Sequence, residues 1–143
     1  MGTEMRGQPW EAPPARRFLS ETMYELTVEA TFAAAHNLRH YEGECENLHG
    51  HNWRVEVQLA GEKLDELGML MDFRDLKATL GDVVQTLDHT YLNDIPPFDR
   101  VNPTTENLCR HIAEELGPKL PRHIAIRRVS CWESERCGAS FIP

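Results

Sequence analysis

Tyr24-Glu25-Leu26-Thr27-Val28-Glu29-Ala30-Thr31-Phe32-Ala33-Ala34-Ala35-His36 alternates in character along its length. Tyr24, Leu26, Val28, Ala30, Phe32, Ala34 and His36 fall on one side, with Glu25, Thr27, Glu29 and Thr31 on the other. Successive side chains of an extended chain point to opposite faces, so the pattern predicts a long strand with one face buried and one wet. A second alternation sets His49, His51, Trp53, Val55, Val57 and Leu59 against Asn52, Arg54, Glu56 and Gln58, and the turn residues Ala60-Gly61-Glu62 end it. Between the two, Leu38 to Leu48 is polar and contains glycine, the composition of a loop.

Downstream the period lengthens. Phe73, Leu76, Leu80, Val83, Val84 and Leu87 recur at helical spacing behind Asp72, a suitable N-cap. Asn102-Pro103-Thr104-Thr105-Glu106 predicts a second helix, with Asn102 as cap and Pro103 in the first turn, carrying Leu108, Ile112 and Leu116 and stopped by Gly117-Pro118. His123 to Glu133 and Gly138 to Ile142 read as two more strands, with a slip in alternation near Arg127-Arg128 that predicts a bulge. The order strand, strand, helix, helix, strand, strand predicts an α+β fold rather than a doubly wound sheet.

A chain of 143 residues suits one domain. Residues 1–20, rich in Gly, Pro and charge without periodicity, read as a flexible extension, leaving residues 21–143 as the domain. A net charge of −8 argues against nucleic acid and anionic membranes as partners. Apolar runs are too short to span a bilayer, and the N-terminus lacks the apolar core of a secretion signal, so a cytoplasmic location is expected. The cysteines at 45, 109, 131 and 137 form no C-x-x-C pair, which points to thiols rather than disulfides.

Chemistry concentrates in Cys45-Glu46-Asn47-Leu48-His49-Gly50-His51. His49 and His51 share one strand face, and His36 ends the apolar face of the preceding strand, so pairing of the two strands brings three imidazoles within reach of one ion. Three His ligands with a fourth position open are the catalytic form of a zinc site. Two roles compete for Cys45: a fourth ligand closing a structural site, or an unligated thiolate acting as base or nucleophile. Asp88-His89 follows the first helix, and Glu133 is a carboxylate among apolar neighbours that faces solvent or meets a hydrogen-bond donor.

Taken together, Phe32-Ala33-Ala34-Ala35-His36, Cys45-x-x-x-His49-Gly50-His51, Met71-Asp72-Phe73, Leu87-Asp88-His89-x-x-Leu92-Asn93, Pro103-Thr104-Thr105-Glu106-Asn107 and Glu133 resemble the 6-pyruvoyltetrahydropterin synthase superfamily. The likeness is greatest to its 6-carboxytetrahydropterin synthase branch and covers about residues 22 to 142. It implies the tunnelling fold: a four-stranded sequential antiparallel sheet with two helices between strands two and three, joined edge to edge into trimeric barrels that stack as a homohexamer with sites between subunits.

The resemblance also implies roles. His36, His49 and His51 match the zinc ligands, Cys45 the catalytic base, His89 with Asp88 the second proton-transfer group, and Glu133 the carboxylate that grips the pterin ring, with Thr104 and Glu106 in a substrate-binding motif. The implied substrate is 7,8-dihydroneopterin triphosphate, and in the carboxy branch the products are 6-carboxy-5,6,7,8-tetrahydropterin, acetaldehyde and triphosphate, on the way to queuosine. The three residues between Cys45 and His49 resemble the carboxy enzymes; the pyruvoyl enzymes usually carry a longer spacer. A branch linked to folate synthesis resembles this region with Glu at or near the cysteine, where this chain has Glu44. Arg39, Arg54, Lys77, Arg127 and Arg128 are the cations from which spacing cannot choose a triphosphate partner.

Overall fold

A computed structural model describes residues 23–143; the extension read at residues 1–20 lies outside them. Strands β1 (Tyr24–His36) and β2 (His49–Gly61) pair antiparallel over their full lengths, from Tyr24 opposite Gly61 to His36 opposite His49. These are the two stretches whose alternation predicts strands. Helix α1 (Phe73–Gln85), the two-residue strand β3 (Thr90–Tyr91) and helix α2 (Thr105–Leu116) come next, followed by β4 (Ala125–Trp132) and β5 (Gly138–Phe141).

Both helices lie on one face of the sheet, α1 across β1 and α2 across β4 and β5. There Val28 and Phe32, Trp53, Val55 and Val57, and Val129 and Cys131 meet Leu76, Leu80 and Val83 of α1 and Leu108, Ile112 and Leu116 of α2. Each such side chain contributes about 1.5–3 kcal/mol on full burial, which is why the apolar parity of the strands decides the fold. Glu25, Thr27, Glu29 and Thr31 occupy the opposite, wetter face. No helix among the described residues is long and apolar enough to cross a membrane.

The α+β class holds, but the sheet has five strands in the order β3-β1-β2-β4-β5 rather than four. The additional strand is β3, which pairs parallel to β1 through Thr90–Ala34 and Tyr91–Ala35. It arises because His89, at φ 56°, reverses the chain as it leaves α1. The His89 amide then donates to the Ala33 carbonyl at 2.6 Å, and Asp88 Oδ1 accepts from the Ala33 amide at 2.9 Å. Two residues cannot display a period, so only tertiary contact reveals this strand.

Asp72 caps α1 as expected, its Oδ1 accepting from Arg74 N at 2.8 Å. The second helix differs from expectation. Thr104, not Asn102, is the cap, its hydroxyl accepting from Asn107 N at 3.2 Å, while the Asn102 amide is engaged by the backbone of Arg39. The bulge is real: Gln58 faces Arg128 and Leu59 faces Ile126, leaving Arg127 without an opposite number. β4 ends one residue before Glu133, whose amide donates to Cys137 O at 3.1 Å and closes the hairpin into β5. At the hairpin's exit, a side chain on Gly138 would lie 2.5 Å from the Trp132 ring, so glycine permits the close approach.

Candidate metal centre and active site

The β1–β2 register sets His36 opposite His49, with His51 beside them on the same face, and candidate ligand atoms of all three lie within 4.8 Å of one another. Two of the rings are held from behind. His36 Nδ1 lies 2.8 Å from the Pro103 carbonyl, and His49 Nδ1 lies 2.7 Å from the Asn47 carbonyl. A carbonyl only accepts, so each Nδ1 carries the proton and each Nε2 presents a lone pair. Those two Nε2 atoms face each other at 3.0 Å. Two lone pairs at that distance repel unless a cation lies between them. His51 Nε2 is buried with no hydrogen-bond partner, a deficit that costs about 1–3 kcal/mol when nothing coordinates it. The three nitrogens therefore fit a metal ion. Trp53, fully buried, presents its ring edge-on to His36 and His51 at 5.2 and 5.3 Å and walls the centre off from the core.

Burial disfavours the charged form of His36 and of His51. Burial pushes His36 below the ordinary histidine value, only partly offset by the Pro103 carbonyl, and neighbouring His49 and His51 push the same way. His51 is lowered first by burial and then by His49, against the opposing pull of Glu133. The unfolded chain therefore takes up protons first as pH falls below about 6.5. Metal-free protein is expected to lose stability on acidification through that range toward the lowered folded values. Urea midpoints between pH 7.5 and 5 check this, and the fall should be smaller in His51→Asn.

Glu133 approaches the centre from the β4–β5 hairpin. Its Oε2 lies 3.8 Å from His51 Nε2, and Thr105 Oγ1 is directed at the same oxygen at 3.5 Å. The carboxylate also sits at the N-terminal end of α2, whose dipole favours a negative charge. On either side of Thr105, the Thr104 hydroxyl caps the helix and Glu106 is exposed in the first turn.

Cys45 lies half-buried in the short 3-10 turn Glu44–Glu46, and its sulfur is not part of the nitrogen cluster. His89 Nδ1 pairs with Asp88 Oδ2 at 2.9 Å, and its side chain is 82% exposed. Asp88 is held below the usual carboxylate range, first by the Ala33 amide and then by His89. The pair is not among the three imidazoles that gather as candidate ligands. An open hollow of about 470 Å³ lies between the His89–Thr90 turn and residues 50–52 of β2. The carboxylate engages Nδ1 of His89, and His89 is one of the residues lining that hollow.

Some contributors carry no sequence signal. The carbonyls of Pro103 and Asn47, which orient two of the imidazoles, are backbone groups that any residue type could supply. Among the candidate cations, Arg39 is engaged by the carbonyls of Phe98 and Val101, Arg54 pairs with Glu29 at 3.1 Å, and Arg127 pairs with Glu25 at 3.3 Å.

Comparison with known proteins matches residues 25–143 to the family model described as 6-pyruvoyl tetrahydropterin synthase. A 6-carboxy-5,6,7,8-tetrahydropterin synthase of Synechocystis is 42% identical over 99 residues, covering 66% of this chain and 75% of that protein. A dihydroneopterin monophosphate aldolase of Pyrococcus furiosus is 40% identical over 116 residues, covering 81% and 95%. The solved structure of a Caenorhabditis elegans 6-pyruvoyl tetrahydropterin synthase superposes with a TM-score of 0.74 at 27% identity, over 85% of this chain and 96% of that one. With the family model matching nearly all the described residues, the chain belongs to the 6-pyruvoyl tetrahydropterin synthase family.

Proposed function

We propose that the chain is a zinc-dependent 6-carboxy-5,6,7,8-tetrahydropterin synthase that converts 7,8-dihydroneopterin triphosphate to 6-carboxytetrahydropterin, acetaldehyde and triphosphate. The observation that carries the reading is the opposed pair of Nε2 lone pairs beside an orphaned third, in a cluster that among the described residues contains no sulfur. Such a set suits a borderline cation and leaves a coordination position for substrate. Zinc held there supplies Lewis acidity that eases deprotonation of the substrate's hydroxylated side chain.

The chain's own groups do the rest. Cys45 Sγ, as thiolate, takes a proton from the side chain, and His89, steadied through Nδ1 by Asp88, exchanges the second. Glu133 accepts the 2-amino and N3 hydrogens of the pterin edge, two parallel donors matched to two carboxylate oxygens. Thr105, already directed at that carboxylate, fixes its rotamer. The working site is completed between subunits. The edge of β1 favours the same assembly: β3 covers only Ala34 and Ala35, and a long uncovered edge invites pairing with another copy. A closed trimer barrel, stacked as a hexamer, is the corresponding assembly.

Incubation of zinc-loaded protein with dihydroneopterin triphosphate is expected to release acetaldehyde and triphosphate in equal amounts. Triphosphate without acetaldehyde would assign the chain to the pyruvoyl activity named for the C. elegans protein, and turnover of the monophosphate alone would assign it to that of the Pyrococcus relative.

A further inference from the structure

Past His36 the chain leaves β1 and turns at Arg39-His40, yet the backbone amides and carbonyls of Asn37 and Arg39 are all paired by side chains. The Asn37 amide donates to Asn93 Oδ1 at 3.0 Å, and Asn93 Nδ2 donates back to the Asn37 carbonyl at 2.9 Å. Two residues on, the Arg39 amide donates to Asn102 Oδ1 and the Arg39 carbonyl accepts from Asn102 Nδ2, both at 2.9 Å. Each asparagine amide stands in for one residue of a neighbouring strand, since it offers one donor and one acceptor at strand spacing. The intervening Leu38 donates its amide to the Cys45 carbonyl at 2.8 Å. The clamp therefore ends on the residue that carries the thiol.

Both asparagines are themselves fixed. Asn93 is buried within the 3-10 turn Leu92–Asp94, directly after β3. The Asn102 carbonyl accepts from Thr104 N at 2.8 Å and from Asn107 Nδ2 at 2.9 Å. Pro103, the very next residue, orients His36. One loop thus holds a metal-facing imidazole and, through Asn102, Arg39 and Leu38, the backbone of Cys45.

We infer that Asn93 and Asn102 are positioning residues that hold the Cys45 thiol at a fixed approach to the metal centre through the backbone of residues 37–39. The inference rests on the reading of Cys45 as the base. Asn102→Asp keeps size and removes only the donor, leaving the Arg39 carbonyl unpaired against a carboxylate. The test uses zinc-loaded protein carrying Cys137→Ser, because Cys137 is exposed whereas Cys109 and Cys131 are buried. N102D is expected to fold at a lowered unfolding midpoint, because the Arg39 carbonyl loses its donor, to keep its zinc, to leave KM unchanged and to lower kcat by about 100-fold, the loss typical of a displaced catalytic group. Iodoacetamide should alkylate Cys45 several-fold faster, because the half-buried thiol is no longer held. Should the carboxylate prevent folding, N102S removes the same clamp without charge.

A folded variant with parental kcat and parental alkylation rate overturns the inference. So does a variant whose lost activity returns with excess zinc, since Asn102 would then act on the metal. Cys45→Ala measured in parallel separates the two readings. Turnover surviving in C45A, with faster alkylation in N102D, removes the base role and leaves the clamp. Turnover lost in C45A, with N102D neutral, does the reverse.

Discussion

Cys45→Ala is expected to lower kcat by about 10²–10⁴-fold, the contribution of a positioned proton acceptor, while the protein keeps one zinc per chain and its unfolding midpoint. The two halves of this outcome have separate causes. Zinc stays because the ligand atoms of His36, His49 and His51 form the cluster without sulfur. Stability stays because Cys45 lies half-buried in a short turn that contributes nothing to the core. Turnover falls because alanine has no group to accept a proton, and a water admitted in its place is a weaker and less fixed base. Atomic absorption on dialysed protein and single-turnover kinetics measure the two halves. Loss of zinc together with activity would make the sulfur a ligand and close the tetrahedron, which is the structural form of such a site.

The sequence reads well where local pattern and tertiary environment agree. β1 and β2 end where the alternation of Tyr24 to His36 and of His49 onward ends, because a strand with one buried face must keep its parity. The same parity gathers the three imidazoles: His49 and His51 share a face by their spacing, and His36 joins them once its strand pairs antiparallel in that register. The bulge at Arg127 is legible for the converse reason, since a parity slip within a buried strand can be accommodated only by an extra residue.

What stays hidden depends on groups that are local in neither sequence nor type. β3 exists because the left-handed turn at His89 lays two residues against Ala34 and Ala35, and no periodicity announces it. Asn102 has the composition of a helix cap, and locally that reading is sound. It is overridden because the Arg39 backbone, 63 positions away, needs both halves of its amide, and Thr104 can cap instead. The sequence names the three imidazoles, but the carbonyls that decide which nitrogen of His36 and His49 is free belong to the backbone of Pro103 and Asn47.

His49→Ala is expected to abolish zinc-dependent turnover and to weaken zinc binding by more than the roughly 10- to 100-fold that follows loss of a group which merely orients a ligand. The chain should nonetheless remain folded. The β1–β2 ladder runs from Tyr24 to His36, and the core beneath it, from Val28 and Phe32 to Leu108 and Ile112, is built without any metal contact. Wild-type protein treated with chelator should likewise retain its circular dichroism, whereas a domain whose folding energy comes from a closed zinc site unfolds when the ion is removed. The metal-free state adds a test. In metal-free wild type the Nε2 atoms of His36 and His49 confront each other at 3.0 Å, each with a lone pair, and alanine at 49 removes that repulsion. Metal-free H49A should therefore have a urea midpoint close to that of metal-free wild type, the relief of that repulsion offsetting the lost bond from His49 Nδ1 to the Asn47 carbonyl. Zinc should raise the midpoint of wild type, because a ligand bound only by the folded state stabilises it, and should do so much less for H49A. A metal-free H49A protein less stable than metal-free wild type by more than the roughly 0.5–1.5 kcal/mol of the lost His49 Nδ1–Asn47 carbonyl bond would mean that the two nitrogens share a proton rather than face each other as acceptors, and the assignment of both as neutral metal ligands would fail with it.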